Sequence, residues 1–503
     1  MPHVAHVPLP APATGYERRQ PEQTLLYQTL AAHWPRFAQR CEEHGGLPAF
    51  VTREFEDYLT CGILEHGCVT ASCRECGFER LVGFSCKHRG FCPSCCGRRM
   101  NDTAAHLVDS VLPFDAPVRQ WVCSLPWQLR SVLGYDSRLC SEVMTAFATE
   151  LMRSYKRRAK RQLGLASVAD AFTGTITFVQ RFDSALRLNV HGHTLALDGV
   201  YVRDEEGELR FQTLPEPTVG DVTDVATRTA ARIERVLEQH GRYLDEPTEH
   251  GDEQLWLDYP ALASCYQAAT SGRQLLDEHP GKPALRLLGT TKARKHAAHA
   301  ALVAEVRGVN VHAERVVDGR DRKQLERLCR YLARPPLSHE RLSELADGKL
   351  RLALKTPWSD GTRAIVLSPM DLIARLCALV PPPYFHLTRF HGVFAPNATL
   401  RPQIVPVRAP DPELDLPEQL LLFDKTGQRP AAPADPEPAP SSPGRHPWAW
   451  LLKRVFKADV TVCPKCQGRM RITQVALTAD DIGRILAHHG LGPRPPPPPI
   501  LSP

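Results

Sequence analysis

Apolar and polar positions along the chain fall into short strand-like runs separated by longer helical patterns. Val118 to Leu125 is rich in β-branched and aromatic residues and is ended by Pro126, which predicts a strand. Thr173 to Phe182 and Leu186 to Leu197 are two further strand-like runs joined only by Asp183-Ser184-Ala185. So short a joint predicts an antiparallel hairpin. Apolar residues recur at helical spacing from Ser141 to Leu163, and helices are also expected near residues 100–112, over Val219 to His240 and near Asp480 to His489. A last helix is expected over Asp321 to Arg334, where Leu325, Leu328 and Leu332 form an apolar stripe that Pro335-Pro336 brings to a stop. Lys355 to Val366 reads as a strand region and Phe385 to Phe394 as a basic loop, in which His386, Arg389 and His391 are set against substrate or an ordinary surface.

Length changes the picture from one core to several, since 503 residues exceed a single compact unit. The 45 prolines crowd the first residues, the stretch near 408–447 and the tail Pro495 to Pro499. The expected division is a flexible N-terminus over 1–24, a zinc-binding domain over 25–112, a catalytic domain over 113–407 and a proline-rich linker over 408–447. A small segment with one C-x2-C follows over 448–490, and a proline-rich tail over 491–503. No apolar run is long enough to span a bilayer and the start lacks a signal-peptide pattern, so a cytoplasmic protein with no membrane partner is expected. A net charge of +6 permits a polyanionic partner without requiring one.

In a reducing compartment 16 cysteines read as metal ligands where they cluster and as small buried apolar residues where they stand alone. Cys73-x2-Cys76 and Cys92-x2-Cys95 have the spacing of a zinc ribbon, which makes these four thiols the expected ligands of a structural Zn²⁺. Cys86 and Cys96 are additional candidate ligands, and Cys61, Cys68, His66 and His88 lie nearby in sequence. Lys87, Arg89, Arg98 and Arg99 interleave with the knuckles and suit phosphate contacts. The C-terminal knuckle, Cys463 and Cys466, supplies half a site; His488, His489 or another subunit could complete it, or it could be a remnant without metal.

Chemistry of another kind is written in Asn189-Val190-His191-Gly192-His193-Thr194-Leu195. Two histidines one residue apart on a strand face the same way, so they can hold one divalent cation. The hairpin brings Gln180 or Asp183 close as a third, oxygen-donating ligand. A nitrogen and oxygen set suits Mg²⁺ or Mn²⁺ acting on phosphate better than a closed thiolate zinc. Tyr331 lies at the edge of the 321–334 stripe, among Arg327, Arg330 and Arg334. A phenol with a pKa of about 10 needs a metal or cations before it can attack phosphorus. Further basic runs, Arg153 to Arg161 with Arg157 and Arg158 at its centre and Ala284 to Leu302 with Arg286, Lys292, Arg294, Lys295 and His296, are DNA-contact candidates or solvated faces. His312 could reach the metal or fill a core position.

Three stretches together, Cys73 to Met100, Gln180 through Asn189-Val190-His191-Gly192-His193 to Tyr201, and Arg327 to Pro336 about Tyr331, resemble the bacterial rolling-circle transposases of the insertion-sequence ninety-one and common-region type. The resemblance runs from about residue 20 to 490 and implies an α+β protein: an N-terminal zinc-ribbon-like domain, then an antiparallel-sheet nuclease domain flanked by helices. It implies His191 and His193 as ligands of the catalytic metal and Tyr331 as the nucleophile. The implied reaction cuts one strand at an element end, leaving a 5′-phosphotyrosine and a free 3′-hydroxyl, and then transfers the strand without ATP. The implied partner is DNA, as single-stranded element ends, and a homodimer is open to the chain. Two departures matter. Gly192 stands where the family has a hydrophobic residue, which loosens the strand, and Pro335 stands where two-tyrosine members carry a second nucleophile. A single-tyrosine enzyme is therefore expected, with Tyr155 disfavoured because it precedes the histidines. The competing readings are a noncatalytic, zinc-dependent DNA-binding protein decayed from a transposase, and a replication initiator or relaxase sharing the chemistry.

Overall fold

The structure, a computed structural model, describes residues 19–243, 253–276, 280–289, 302–406, 448–456 and 458–492. Lys292, Arg294, Lys295 and His296, the whole of 408–447 and nearly all of the terminal tail lie outside these residues, as do the first eighteen positions. The chain divides into two units, one of residues 1–35, 53–88 and 409–503 and the other of 36–52 and 89–408.

The first unit holds a three-stranded antiparallel sheet in which Cys68–Cys73 is central, with Glu79–Gly83 on one side and Met470–Ala476 on the other. The C-terminal segment is thus part of the same sheet as the early cysteines, paired from Cys68 with Ala476 to Cys73 with Met470. Leu64, Cys68, Leu81, Ala476, Ile482, Ile485 and Leu486 bury one face against the helix Ala479–His488. That helix starts where Thr478 accepts a hydrogen bond from the Asp481 N–H. Trp34 and Phe55 stack with ring centres 4.1 Å apart in the same unit.

The second unit is built on a six-stranded antiparallel sheet. In chain order its strands are β1 (Val118–Ser124), β2 (Gly174–Phe182), β3 (Leu188–Leu197), β4 (Val303–Val306), β5 (Val309–Val317) and β6 (Thr388–Gly392), and their spatial order is β6-β2-β3-β1-β5-β4. Four helices matter here: α1 (Pro93–Ser110), α2 (Ser137–Leu163), α3 (Val219–Gln239) and α4 (Arg322–Leu332). The nearly continuous burial of β2 and β3 follows from helices on both faces.

On the front face Ile176, Phe178, Leu195 and Leu197 meet Leu107 and Val108 of α1 and Leu325, Cys329 and Leu332 of α4 in one core. On the back, Trp121 donates to the Tyr155 hydroxyl of α2 at 3.1 Å, and that hydroxyl donates to Asp198, which also pairs with Arg119 at 2.9 Å. A Cβ on Gly192 would stand 3.0 Å from the Met144 sulfur of α2. Glycine therefore lets α2 approach the sheet at the central strand, and the space a hydrophobic residue would fill there is occupied by Met144. The fold is α+β, with a cysteine-rich first unit and an antiparallel sheet flanked by helices in the second.

Candidate active site and metal-type clusters

His191 and His193 sit side by side on the front face of β3. Register sets Gln180 and Phe178 of β2 opposite them on one side, and Ser124 and Val122 of β1 on the other. The two Nε2 atoms are 3.2 Å apart. Each ring is held from behind. Nδ1 of His191 lies 2.8 Å from the Asn189 carbonyl oxygen, which keeps the proton on Nδ1 and the lone pair on Nε2. Nε2 of Gln120 lies 3.2 Å from Nδ1 of His193 and donates to it, so the His193 ring proton sits on Nε2 and faces the His191 lone pair. Burial pushes the His191 pKa down to about 4, and burial with the His191 ring nearby holds His193 well below its usual value. Both imidazoles are neutral at neutral pH, the form that ligates metal.

Tyr331 reaches this place from α4. Asp321 caps the helix by accepting from the Gln324 N–H, and Leu325, Cys329 and Leu332 are buried while Leu328 is partly so. The tyrosine is left on the opposite edge, 37% exposed, with its ring centre 6.1 Å from that of His193. Lys355 Nζ lies 3.9 Å from the centre of the tyrosine ring and the Arg334 guanidinium carbon 4.5 Å from it. Desolvation, then the charges of Arg334 and Arg341, bring the Lys355 ammonium down to about 8 although the side chain still reaches solvent.

Gln180 joins the two halves of the site. Its Nε2 donates to the Leu332 carbonyl at 2.9 Å, one of the orphan acceptors at a helix C-terminus. Its Oε1 is buried with no hydrogen-bond partner. Arg341 adds a second tie, donating to the Pro336 carbonyl at 3.2 Å and to Ser184 O in the β2–β3 turn.

The structure thus brings His191, His193, Gln180 and Tyr331 together, and it separates the other residues expected near them. Asp183 caps its own turn: its carboxylate accepts from the N–H groups of Ala185 and Arg187 at 2.8 and 3.0 Å and pairs with Arg187 Nε at 2.6 Å, so both its oxygens are engaged within the turn. His312 faces the front but lies across Val122 from His193, about 10 Å at ordinary strand spacing. Arg389 and His391 turn to the back face, toward Ser141 and Thr145 of α2. Tyr155 is a buried, hydrogen-bonded core residue. Gln120, Lys355 and Arg341 had no distinguishing motif; only the pairing of distant strands reveals them.

The basic candidates also sort by partner. Arg158 is buried and donates to Pro215 O, while Arg157 pairs with Asp224 of α3 at 2.7 Å, so these two arginines knit α2 to α3, whereas Arg153, Lys160 and Arg161 of the same run stay exposed. Arg89 donates to the carbonyl of Phe385 at 2.8 Å, and Arg330 pairs with Glu326. Lys87 is exposed, at a positive φ of 59°. A cavity beside the end of α4 is lined by Arg89, Arg99, Gln180 and Arg334 among mostly apolar neighbours such as Phe182 and Pro335.

The cysteines regroup. In the first unit Cys73 Sγ lies 3.4 Å from Cys466 Sγ and Cys76 Sγ lies 3.5 Å from Cys463 Sγ, all four within 4.8 Å of one another. The expected quartet of Cys73, Cys76, Cys92 and Cys95 is therefore not one site. Cys92 and Cys95 stand at the start of α1 in the second unit. Cys86 donates its N–H to Cys61 Sγ at 3.4 Å, His88 pairs with Glu54 and Asp57, and Cys96 belongs to no metal-type cluster among the described residues. No helix among the described residues is long and apolar enough to cross a membrane.

Comparison with known families gives two matches in chain order. Residues 29–125 match the family described as "Transposase zinc-binding domain" and residues 174–401 the family described as "Putative transposase". The second span contains β2, β3 and α4 and so both histidines and Tyr331. No curated protein and no solved structure matched the chain.

Proposed function

Because the chain belongs to the transposases of the insertion-sequence ninety-one type, we propose that its activity is metal-assisted strand cleavage and transfer of single-stranded element ends through a phosphotyrosine on Tyr331. The observation that carries this reading is the meeting of two neutral imidazoles, an unpartnered amide oxygen and a phenol under two cations at one edge of the sheet.

The donor set fits a hard divalent cation. Nε2 of His191 and of His193 and Oε1 of Gln180 are two nitrogens and one oxygen, with no thiolate. When bound there, Mg²⁺ or Mn²⁺ would polarise the scissile phosphate. The protein's own residues do the rest. Asn189 holds the His191 ring with its Nε2 lone pair forward, and Gln120 holds the His193 ring from behind, where a turned amide would let Nδ1 carry the ring proton and free the second Nε2. Gln180 fixes the end of α4, and hence Tyr331, against the histidine strand. Lys355 and Arg334 stabilise negative charge on the phenol oxygen as it attacks phosphorus. In the exchange the phenol loses its proton, the new bond joins Oη to the 5′-phosphoryl group, and the broken bond leaves a 3′-hydroxyl. A later 3′-hydroxyl reverses the step and releases the tyrosine.

Zinc serves a different end. Cys86, Cys92 and Cys95 fall in one ten-residue stretch within the span matching the zinc-binding family, and that match supports a structural zinc in this part of the chain. DNA with single-stranded ends remains the proposed substrate, and a homodimer one way for a single-tyrosine enzyme to complete two cleavages.

Labelled single-stranded DNA of the element's ends, incubated with the protein and Mn²⁺, tests the reading. A covalent protein–DNA adduct that disappears in Tyr331→Phe is the expected result. Binding that is lost with salt but yields no adduct under any divalent metal contradicts it and favours the decayed, noncatalytic reading.

A further inference from the structure

The knuckle at the far end of the chain has a partner whose form mirrors its own. Cys73-Arg-Glu-Cys76-Gly77 and Cys463-Pro-Lys-Cys466-Gln467 have equal spacing, and each turns through a left-handed residue, Gly77 at φ 70° and Gln467 at φ 63°. In each, the N–H after the second cysteine donates to the carbonyl of the first at 3.0 Å. Gln467 takes the left-handed conformation that Gly77 takes in the matching turn, which a non-glycine residue adopts at a cost. Two such turns facing each other at sulfur distances of 3.4 and 3.5 Å lie close to the tetrahedron expected about a zinc, whose sulfurs at about 2.3 Å from the metal stand about 3.8 Å apart.

A second observation is independent of the sulfurs. The strand Met470–Ala476, which leaves the C-terminal knuckle, is hydrogen-bonded to Cys68–Cys73, which enters the other, and Met470 pairs with Cys73 itself. Cys73, Cys463 and Met470 are buried together, with Ala71 and Phe78 against them. Two knuckles presented by paired strands are held in register by the sheet that carries them.

We infer that Cys73, Cys76, Cys463 and Cys466 hold one zinc as a four-thiolate site, making the C-terminal segment a structural part of the N-terminal unit. The span matching the zinc-binding family ends at residue 125, so half of this site lies far outside it. The metal closes a loop of chain that contains every residue of 89–408, and a tie across so long a loop removes much of the freedom of the unfolded chain. A chain cut before residue 458 would lose this zinc and the outer strand with it.

The test uses the full-length, zinc-loaded protein. Native alkylation followed by mass spectrometry should find Cys73, Cys76, Cys463 and Cys466 modified about tenfold or more slowly than a free thiol, and released together by one chelator titration. Zinc content in the Cys463→Ser, Cys466→Ser double variant should fall by one ion per chain. Rapid alkylation of Cys463 and Cys466 while Cys73 and Cys76 stay protected would overturn the inference, as would unchanged zinc content in the double variant. Because the alkylation readout needs no variant, misfolding of the double variant leaves the question answerable. Neither readout depends on DNA cleavage, so failure here is distinct from failure of the phosphotyrosine reading.

Discussion

The thiol quartet of the first unit and the imidazole pair of the second are opposite ways of holding a cation. The quartet has four sulfurs contributed by two facing turns, enough to close a tetrahedron with no position left for substrate. The pair offers two nitrogens and one amide oxygen on a face beside a half-exposed phenol, which leaves coordination positions open. One arrangement stabilises chain topology and the other exposes a reactive edge. Rigidity comes from different sources as well: the quartet depends on its metal, whereas both histidines sit on β3, a central strand of a six-stranded sheet packed by helices on both faces.

The sharpest way to break this contrast is to remove the reactive edge alone. Tyr331→Phe should lower adduct formation by about 10⁴-fold or more, the scale on which loss of a nucleophile acts, with thermal stability and DNA binding unchanged. His191→Ala or His193→Ala should cost about 10²- to 10⁴-fold in cleavage rate and abolish its dependence on Mn²⁺ concentration. Gln180→Ala, which removes one ligand oxygen and the tie to Leu332, should cost about 10- to 100-fold. A variant of either histidine that keeps full metal-dependent cleavage would place the metal elsewhere.

Metal removal separates the two sites directly. Brief dialysis against a mild chelator should abolish cleavage reversibly, with activity returning on addition of Mn²⁺ and near-native circular dichroism throughout. Stripping zinc from the thiolates should instead melt structure in the first unit, an effect that Mn²⁺ does not reverse.

Acidity gives a smaller effect. Lys355 is held down to about 8, so its ammonium is present below that pH and lost above it. Its help to the phenolate is therefore present at neutral pH, and initial cleavage rates should bend downward as pH rises through about 8. Lys355→Arg keeps its charge across that range and should remove the bend; a bend unchanged in that variant would assign it to another group.

The smallest change concerns the back of the sheet. Gly192→Val forces atoms toward Met144 and should cost about 1–3 kcal/mol of stability, recovered in part by Met144→Ala. If the valine is tolerated without loss, the close approach of α2 is not why glycine stands there.

These predictions also mark what was legible in the sequence. Period-two patterning placed His191 and His193 on one face, and the proline stop located the end of the helix carrying Tyr331, because both are local properties of the backbone. Gln180 was visible as a hairpin neighbour for the same reason. Asp183 was not distinguishable from it until the turn showed both carboxylate oxygens engaged. The partners of Arg157 and Arg158 lie more than fifty residues away, and the quartet joins cysteines nearly four hundred residues apart. Spacing rules see a knuckle but not which knuckle faces it, so the meeting of Cys73 and Cys76 with Cys463 and Cys466 is not legible in the sequence.

Anomalous diffraction from crystals grown with Mn²⁺ tests the central claim most directly. The account predicts one strong peak bound by Nε2 of both His191 and His193, with Gln180 Oε1 in its coordination sphere and the Tyr331 hydroxyl near enough for one phosphate group to touch both. A histidine pair that remains hydrogen-bonded ring to ring with no peak between them, or a peak beyond a phosphate's reach of Tyr331, would contradict it.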